Sequence, residues 1–292
     1  MYDTWARARL PRVEWTVTGA DVVHSTTMLV PPTRKPLVVT VHDLAFLHEP
    51  AMFTSRGVGL FRKGLDAARR HADLVLCSSM ATMTDALAAG IAADRLRHVP
   101  LGVDPVGAVS MSDIASVRER NGLMRPYLLF VGTQEPRKNL VGLLAALAML
   151  DDTHDLAVVG PPGWGDDVVI PAAVRSRVRA VGFLSAHDLA AAYAGAAVFV
   201  YPSLREGFGL PVAEAMAHGT PVVTSRGTST EEVAGGAAVL IDPTDPGDIA
   251  RGIAEALADT GALAQAGRAR AAELTWAKTA ALTVQAYRDV AR

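Results

Sequence analysis

From Tyr127 onward, short apolar runs alternate with amphipathic stretches along the chain. Each run is nearly continuous and rich in aliphatic and β-branched residues, which is the pattern of strands buried on both faces of a sheet. Stretches with helical spacing lie between several of these runs. Because strands and helices alternate, we predict a parallel sheet in a doubly wound α/β domain. The predicted strands are residues 128–131, 156–159, 178–181, 198–201, 222–224 and 239–241.

The first part of the chain repeats this pattern less completely. Residues 36–41 and 73–77 have the composition of buried strands, and residues 80–89 predict a helix after the second of them. Only two or three strands are therefore expected here, whereas a Rossmann-like domain carries roughly five or six.

The division into domains follows from a Pro- and Gly-rich segment that leads into a polar stretch. We place the boundary between Val106 and Arg125, so the first domain is residues 1–115 and the second is residues 116–272. Residues 273–292 are predicted to form a final helix that packs back toward the first domain.

Composition limits the classes of function. Half of the 292 residues are hydrophobic, 20% are charged and the net charge is −2, which excludes a disordered chain and gives no general attraction to nucleic acid or to an anionic membrane. The single cysteine, Cys77, excludes a disulfide framework and a thiolate zinc cluster. No apolar run approaches the roughly 20 residues that span a bilayer. We therefore expect a globular protein of the cytoplasm.

Ligands of an open parallel sheet bind outside the carboxyl ends of its strands, so the segment after residues 198–201 is a candidate site. Two glycines flank Phe208, where the backbone can approach a ligand closely, and Pro211 suits the first position of a helix whose free N–H groups bind anions. Glu206 and Glu214, with seven residues between them, can accept hydrogen bonds from sugar or ribose hydroxyls. Alternatively, Glu214 complements the helix dipole and Glu206 is a solvated loop residue.

Two cations follow the strand at residues 128–131. Arg137 and Lys138 stand where we predict the start of a helix, and positive charge there opposes the helix dipole. A bound polyanion would resolve the conflict, with the guanidinium as a fork and the ammonium as a point charge. The alternative is a pair of solvated surface cations.

Two further polar positions follow predicted strands. His42 stands at the end of the strand at residues 36–41, where Asp43 can orient it, although a packed or capping histidine is the plainer interpretation. Glu232 begins a predicted helix, where it either contacts a ligand or complements the dipole.

Motifs of other enzyme classes are absent from the sequence. It contains no G-x-G-x-x-G, Walker A, G-x-S-x-G or H-E-x-x-H motif, and no D-x-D pair. The sequence therefore lacks the motifs that mark a dehydrogenase, a P-loop NTPase, a serine hydrolase or a zinc protease.

Taken together, the segments resemble the family-four retaining glycosyltransferases of the GT-B fold. The sequence from Glu206 to Glu214, Glu-Gly-Phe-Gly-Leu-Pro-Val-Ala-Glu, is similar to the E-x7-E signature of that family. The segment Val-Gly-Thr-Gln-Glu-Pro-Arg-Lys-Asn-Leu at residues 131–140 resembles its donor-phosphate segment, and Val-His-Asp-Leu at residues 41–44 resembles its acceptor-side histidine motif. The resemblance implies two Rossmann-like doubly wound α/β domains that face a cleft, the N-terminal one incomplete.

The resemblance also implies roles for these residues. Lys138 with Arg137 would neutralise the donor diphosphate, Glu214 would bind the ribose, and Glu206 with the following backbone would hold the transferred sugar and phosphate. His42 would lie near the reacting carbon. The implied catalytic residues are His42, Lys138 and Glu206, and the implied donor-binding residues are Gly132, Thr133, Arg137, Lys138, Glu206, Gly207, Phe208, Gly209, Leu210, Glu214 and Glu232.

The implied activity is transfer of a hexose, of mannose or glucose type, from a nucleoside-diphosphate sugar to a saccharide or lipid-linked acceptor. The resemblance implies a retaining course with no metal and no cofactor, no nucleic acid partner, and transient contact with a membrane surface if the acceptor is a lipid. One alternative is a non-catalytic nucleotide-sugar-binding relic or partner subunit. Another is a nucleotide-sugar isomerase or a phosphorylase of the same fold, the latter with bound pyridoxal phosphate.

Two departures from the family pattern carry expectations of their own. Thr133 stands where many relatives have an arginine, so Arg137 would have to supply that charge. The chain also starts downstream of the family's first strand and glycine-rich loop. We therefore expect the first domain to lack its N-terminal part and the donor to bind weakly.

Overall fold

The computed structural model describes Trp5, residues 10–163 and residues 168–291. The chain forms two units, one of Met1–Gly102 with Trp276–Arg292 and the other of Val103–Thr275. The second unit thus begins earlier than the predicted boundary at residue 115. The reason is a backbone hydrogen bond of 3.0 Å from the Val103 N–H to the Leu274 carbonyl, which ties residue 103 to the end of its own unit.

The first unit contains a parallel four-stranded sheet in the order β1-β2-β3-β4. The prediction of two or three strands was too low, because β1 and β4 have only three residues each and include polar side chains. The strands are β1 (Val23–Ser25), β2 (Leu37–Val41), β3 (Leu74–Cys77) and β4 (Leu96–His98), and the helices are α1 (Ala45–His48), α2 (Ser55–His71), α3 (Met80–Ala88) and, at the end of the chain, α11 (Trp276–Val290).

Alternate residues of β2 enter two different cores, which explains its continuous apolar sequence. Val39 and Val41 pack into a cluster with Leu65 of α2, whereas Val38 packs into a second cluster with Ala286 of α11. The final helix therefore covers one face of the first sheet.

The second unit contains a parallel six-stranded sheet in the order β10-β9-β8-β5-β6-β7. Every predicted strand of this unit is present, with ends that agree within one residue. The strands are β5 (Tyr127–Val131), β6 (Asp155–Val159), β7 (Val178–Gly182), β8 (Val198–Tyr201), β9 (Val222–Ser225) and β10 (Val239–Ile241). The helices are α4 (Met111–Arg120), α5 (Leu140–Leu147), α6 (Ala186–Gly195), α7 (Leu210–Ala217), α8 (Ser229–Ala234), α9 (Pro246–Ala258) and α10 (Thr260–Ala271).

The strand order reverses direction at β5. The chain proceeds from β5 through β6 to β7 on one side, and then returns to place β8 on the other side of β5. The loops after β5 and β8 therefore diverge from adjacent strand ends, and such a switch point is the usual ligand site of an open α/β sheet.

Two glycines in neighbouring helices allow a test of how tightly α9 packs on its sheet. A Cβ atom at Gly252 would lie 2.3 Å from Ile241 Cγ2, whereas a Cβ atom at Gly261 would have no heavy atom within 4 Å. We expect Gly252→Ala to lower the free energy of unfolding by about 1–3 kcal/mol through overpacking. Gly261→Ala should raise it by up to about 1 kcal/mol, because alanine has the higher helix propensity. Urea unfolding monitored by circular dichroism measures both, and equal effects of the two substitutions would contradict the close packing of α9.

Candidate functional site

The loop after β5 bends so that the side chain of Lys138 returns to the strand end. Gly132 has φ 149°, and a Cβ atom at this position would lie 2.9 Å from Lys138 Cδ and 3.2 Å from its Nζ. A larger residue would therefore displace the lysine. The turn Pro136–Lys138 is a 3₁₀ helix, and Thr133 contributes its carbonyl to the loop by accepting a 2.7 Å hydrogen bond from the Glu135 N–H.

The two cations precede α5 rather than beginning it. Asn139, at φ 57°, is the N-cap of α5, and its side chain accepts a 3.1 Å hydrogen bond from the Gly142 N–H. Arg137 and Lys138 therefore lie just before the N-cap of α5 rather than in its first turn. Both cations contact the carboxylate of Glu206, which follows β8.

Four side chains converge on the carboxylate of Glu206, which follows β8. Its Oε1 accepts hydrogen bonds from Tyr201 Oη and Ser203 Oγ, both at 2.9 Å, and lies 3.3 Å from Lys138 Nζ. Its Oε2 lies 2.8 Å from Arg137 Nη1. Glu206 is thus a buried carboxylate that is fully engaged by protein donors, and it is not a solvated loop residue.

The charges of this cluster are closely matched. The guanidinium of Arg137 also contacts Glu135 Oε2 at 2.9 Å and the Arg205 carbonyl at 3.2 Å, so it joins two carboxylates. Burial disfavours the charged form of Glu206, but Lys138 and Arg137 outweigh it and hold its pKa below the ordinary value. Glu206 therefore remains ionised at neutral pH.

Tyr201 connects the lysine to the carboxylate. Lys138 Nζ donates a hydrogen bond of 2.5 Å to Tyr201 Oη, and the same hydroxyl donates to Glu206. Burial, reinforced by the negative charge of Glu206, raises the pKa of Tyr201 well above its ordinary value, so the phenol keeps its proton. Among the described residues, Tyr201 and Glu206 are the hydrogen-bond acceptors of Lys138, and an ammonium has three N–H donors. One N–H thus remains for a ligand beside Gly132.

The backbone after Glu206 is held in a shape that requires glycine. Gly209 has φ 104°, and a Cβ atom there would lie 2.8 Å from Thr230 Cγ2. The Glu206 carbonyl accepts a 2.7 Å hydrogen bond from Ser229 Oγ of α8, which fixes the start of the segment Gly207 to Leu210. Phe208 is 7% exposed, so its ring is packed in the interior of the unit. Helix α7 begins at Leu210, and Pro211 occupies its second position, one place later than predicted.

Glu214 lies in the second turn of α7, beyond the first turn where a carboxylate complements the dipole. Its Oε2 accepts a 2.9 Å hydrogen bond from Oη of Tyr193, a fully buried residue of α6. The Tyr193 ring stacks on His218, with 5.5 Å between the ring centroids, and this contact fixes the orientation of the phenol. Tyr193 therefore holds one carboxylate oxygen of Glu214 in place.

His42 belongs to the first unit, where its exposed ring stands at the end of β2. Its Nε2 lies 3.1 Å from the Thr26 carbonyl, which can only accept, so in the neutral imidazole Nε2 carries the proton and Nδ1 is an acceptor. Asp43 accepts a 3.2 Å hydrogen bond from the Ala45 N–H. The expected orientation of His42 by Asp43 is replaced by the Thr26 contact, because Asp43 instead closes the start of α1.

Helix α8 begins at Ser229, three residues before the predicted start at Glu232. Glu232 stands in the first turn of this helix, and its carbonyl accepts a 3.0 Å hydrogen bond from Arg270 Nη2. This position agrees with a role at the helix dipole. The structure brings Gly132, Arg137, Lys138 and Glu206 together at the adjacent ends of β5 and β8.

Sequence reasoning missed Glu135, Tyr201 and Ser203, which organise the cluster around Glu206, and Tyr193, which holds Glu214. By its sequence pattern, Tyr201 is simply the last residue of a buried strand. Its phenol hydroxyl at a strand end, followed two residues later by a serine, was a usable signal. Nothing in the sequence pairs Tyr193 with Glu214.

Comparison with known proteins connects this geometry to a family. A model of the Glycosyl transferases group 1 family matches residues 125–259, and a model of Glycosyltransferase Family 4 matches residues 2–106. The O-antigen chain mannosyltransferase B of Escherichia coli is 32% identical over 281 residues, which are 91% of this chain and 74% of the relative. The chain belongs to the group 1 glycosyltransferases. Its activity is therefore transfer of a glycosyl group from a nucleotide sugar.

Two further comparisons describe the range of this similarity. The serotype-specific mannosyltransferase WbdA of Escherichia coli is 33% identical over 213 residues, which are 68% of the glycosyltransferase chain but only 26% of WbdA. The crystal structure of Anabaena Alr3699/HepE in complex with UDP and glucose has a TM-score of 0.81 at 23% identity, covering 95% of this chain and 80% of that one. This likeness confirms the predicted fold class, two Rossmann-like α/β units of the GT-B type.

The described residues of the glycosyltransferase were considered as metal ligands and as membrane-spanning helices. Over the part of the chain that the structure describes, no group of three or more His, Cys, Asp or Glu side chains is arranged to hold a metal ion. Within the same residues, no helix is both long and apolar enough to cross a membrane.

The environment of Glu214 predicts opposite effects of two substitutions on its titration. Burial raises the pKa of Glu214, the Tyr193 hydrogen bond lowers it, and the negative charge of Asp104 raises it, with a net increase. We expect Asp104→Asn to lower this pKa and Tyr193→Phe to raise it. The carboxyl ¹³C chemical shift of Glu214, assigned with Glu214→Gln, measures the pKa as pH is varied. A shift in the same direction in both variants would contradict the arrangement.

Proposed function

We propose that the glycosyltransferase transfers a hexose, with mannose as the first candidate and glucose as the second, to a saccharide or lipid-linked acceptor. The reaction retains the configuration at the sugar carbon, needs no metal ion or cofactor, and takes place in the cytoplasm. The proposed donor site depends on Lys138. Its buried ammonium lies at the switch point of the second sheet and has one N–H left for an anion.

The chemistry that this ammonium supports is stabilisation of a leaving group. Breaking the bond between the sugar and the nucleoside diphosphate leaves negative charge on the diphosphate and an oxocarbenium-like sugar. A fixed cation in a buried site stabilises that charge more strongly than water does, because it does not reorganise during the reaction. Lys138 supplies in this way the positive charge that a metal ion supplies in other transferases.

The contacts of Glu206 argue against a covalent route to retention. A covalent mechanism needs a carboxylate with a free oxygen beside the sugar, but both oxygens of Glu206 already accept contacts from protein donors. We therefore favour a front-face course, in which a donor phosphate oxygen takes the proton of the acceptor hydroxyl. Glu214, held by Tyr193 through one oxygen, keeps the other for the ribose.

The sugar assignment rests on relatives. The relatives from Escherichia coli described above are named mannosyltransferases, whereas the Anabaena structure contains UDP and glucose. Mannose is accordingly the first sugar to test, and a saccharide hydroxyl is the first acceptor.

The donor site is tested by thermal shift with GDP-mannose, UDP-glucose and an ADP-sugar, without added metal. A ligand that binds the native state raises the melting temperature by mass action. We expect a rise with one nucleotide sugar that is absent in Lys138→Ala and preserved in Lys35→Ala, an exposed lysine of the first unit. Turnover of that donor should fall by about 10²–10³-fold in Lys138→Ala, the usual effect of removing one charge-stabilising donor. Binding without turnover would instead favour a nucleotide-sugar-binding protein.

The role of Glu206 is tested by comparing two ligands. If Glu206 acts by holding Lys138 and Arg137, Glu206→Gln changes the Kd for the nucleoside diphosphate and for the nucleotide sugar by the same factor. If Glu206 contacts the sugar, as the family resemblance implies, only the Kd for the nucleotide sugar rises. We expect equal factors in isothermal titration calorimetry, together with a melting temperature that remains measurable in the variant. The result identifies Glu206 as a positioning residue or as a sugar ligand.

A further inference from the structure

A pocket of about 330 Å³ lies within the first unit, beside His42. It is bounded by the loop after β1, the end of β2, and the N-terminal half of α2 with the segment that precedes it. Its lining residues are Thr27, Met28, Leu29, Thr40, His42, Asp43, Phe53, Leu60 and Phe61.

One wall of the pocket is apolar and is built on an aromatic cluster. The ring of Phe61 lies 5.5 Å from that of the buried Phe46 and 6.3 Å, edge to face, from that of Phe53. Rings packed in this way cannot turn independently, so the wall keeps its shape. Leu29 is 46% exposed and forms part of the rim, where the pocket opens to solvent.

The loop that carries Met28 and Leu29 is fixed by its own hydrogen bonds. Ser25 Oγ lies 2.7 Å from the Thr27 carbonyl, and Thr27 Oγ1 accepts a 3.2 Å hydrogen bond from the Leu29 N–H. A Cβ atom at Gly64 of α2 would lie 2.1 Å from the Met28 carbonyl oxygen, so helix and loop are in close backbone contact. The pocket is therefore formed before any ligand arrives.

The pocket lining also includes polar residues at the end of β2. These are Thr40, His42 and Asp43, and His24 Nε2 lies 2.8 Å from Thr40 Oγ1. Because the neutral imidazole of His42 donates from Nε2 to the Thr26 carbonyl, its Nδ1 can accept a hydrogen bond from a ligand hydroxyl. An apolar wall with hydrogen-bonding groups at one end matches an amphipathic ligand.

We propose that this pocket takes the apolar group of an amphipathic acceptor, whose sugar hydroxyl lies at His42. This proposal rests on the proposed function and names the acceptor class. An apolar cavity of roughly 150 Å³ holds one benzene molecule. A pocket about twice that size accommodates an aryl group, a short alkyl chain or the first units of an isoprenoid, and a longer chain leaves through the rim at Leu29.

The test compares acceptors that share one sugar and differ in the apolar group: methyl, octyl, phenyl and farnesyl α-mannoside, with the donor found by thermal shift. We expect kcat/KM for the octyl, phenyl or farnesyl compound to exceed that for methyl mannoside by about 10–100-fold, as burial of a few methylene groups supplies. Preference for farnesyl over phenyl identifies a lipid carrier, and the reverse identifies an aromatic aglycone. Both support the pocket.

Leu29→Gln provides the matched variant, with Leu87→Gln of α3 as its control, because both leucines are about half exposed in the same unit. Leu29→Gln should bring the octyl-to-methyl ratio of kcat/KM close to one, whereas Leu87→Gln should leave the ratio unchanged. Equal turnover of all acceptors by the unmodified chain would overturn the pocket proposal.

Binding of octyl mannoside without donor, followed by ligand-observed NMR, separates the pocket from the proposed function. Octyl binding that Leu29→Gln weakens, in a protein with no turnover of any donor, would support the pocket while the transferase proposal fails. Turnover of methyl mannoside together with absent octyl binding would reject the pocket while the transferase proposal stands. Loss of self-association in Leu29→Gln would show that a second copy of the chain covers the pocket, and would also overturn it.

Discussion

Lys138 brings an ammonium group into the interior of the second unit, and the rest of the candidate site depends on how that charge is accommodated. An isolated buried charge is strongly destabilising, whereas one that is paired and hydrogen-bonded is tolerated. Glu206 supplies the opposite charge, and Tyr201 bridges the two groups. The glycine at position 132 is required by the same arrangement, because any side chain there would occupy the space of the lysine.

Pairing of this kind gives a site whose charges are fixed before the donor binds. Arg137 is held between Glu135 and Glu206, so it serves to orient the carboxylate that orients the lysine. Preorganised charges are effective in catalysis because they do not have to rearrange as the transition state forms. The same logic applies to Glu214, for which Tyr193 fixes one oxygen and leaves the other available.

The first unit is stabilised by two apolar cores, one on each face of its sheet. Its four strands bury both faces, with α2 on one side and the final helix α11 on the other. Tyr287 of α11 lies 2.7 Å from His24 Nδ1, and the other nitrogen of that imidazole reaches Thr40 beside the pocket. The last helix of the chain thereby supports the strand that carries His42.

The sequence by itself determined the strands of the second sheet, because short, continuous β-branched runs are typical of strands buried on both faces. It also located the segments after β5 and β8, because the E-x7-E spacing and the Arg-Lys pair are local patterns. Only the tertiary structure decided what those residues do. The partners of Glu206 lie up to 69 positions away along the chain and those of Glu214 lie 21 positions away, so their contacts arise from strand order and helix packing. The short strands β1 and β4 and the boundary at Val103 were likewise beyond local pattern, because each is defined by hydrogen bonds to segments distant in sequence.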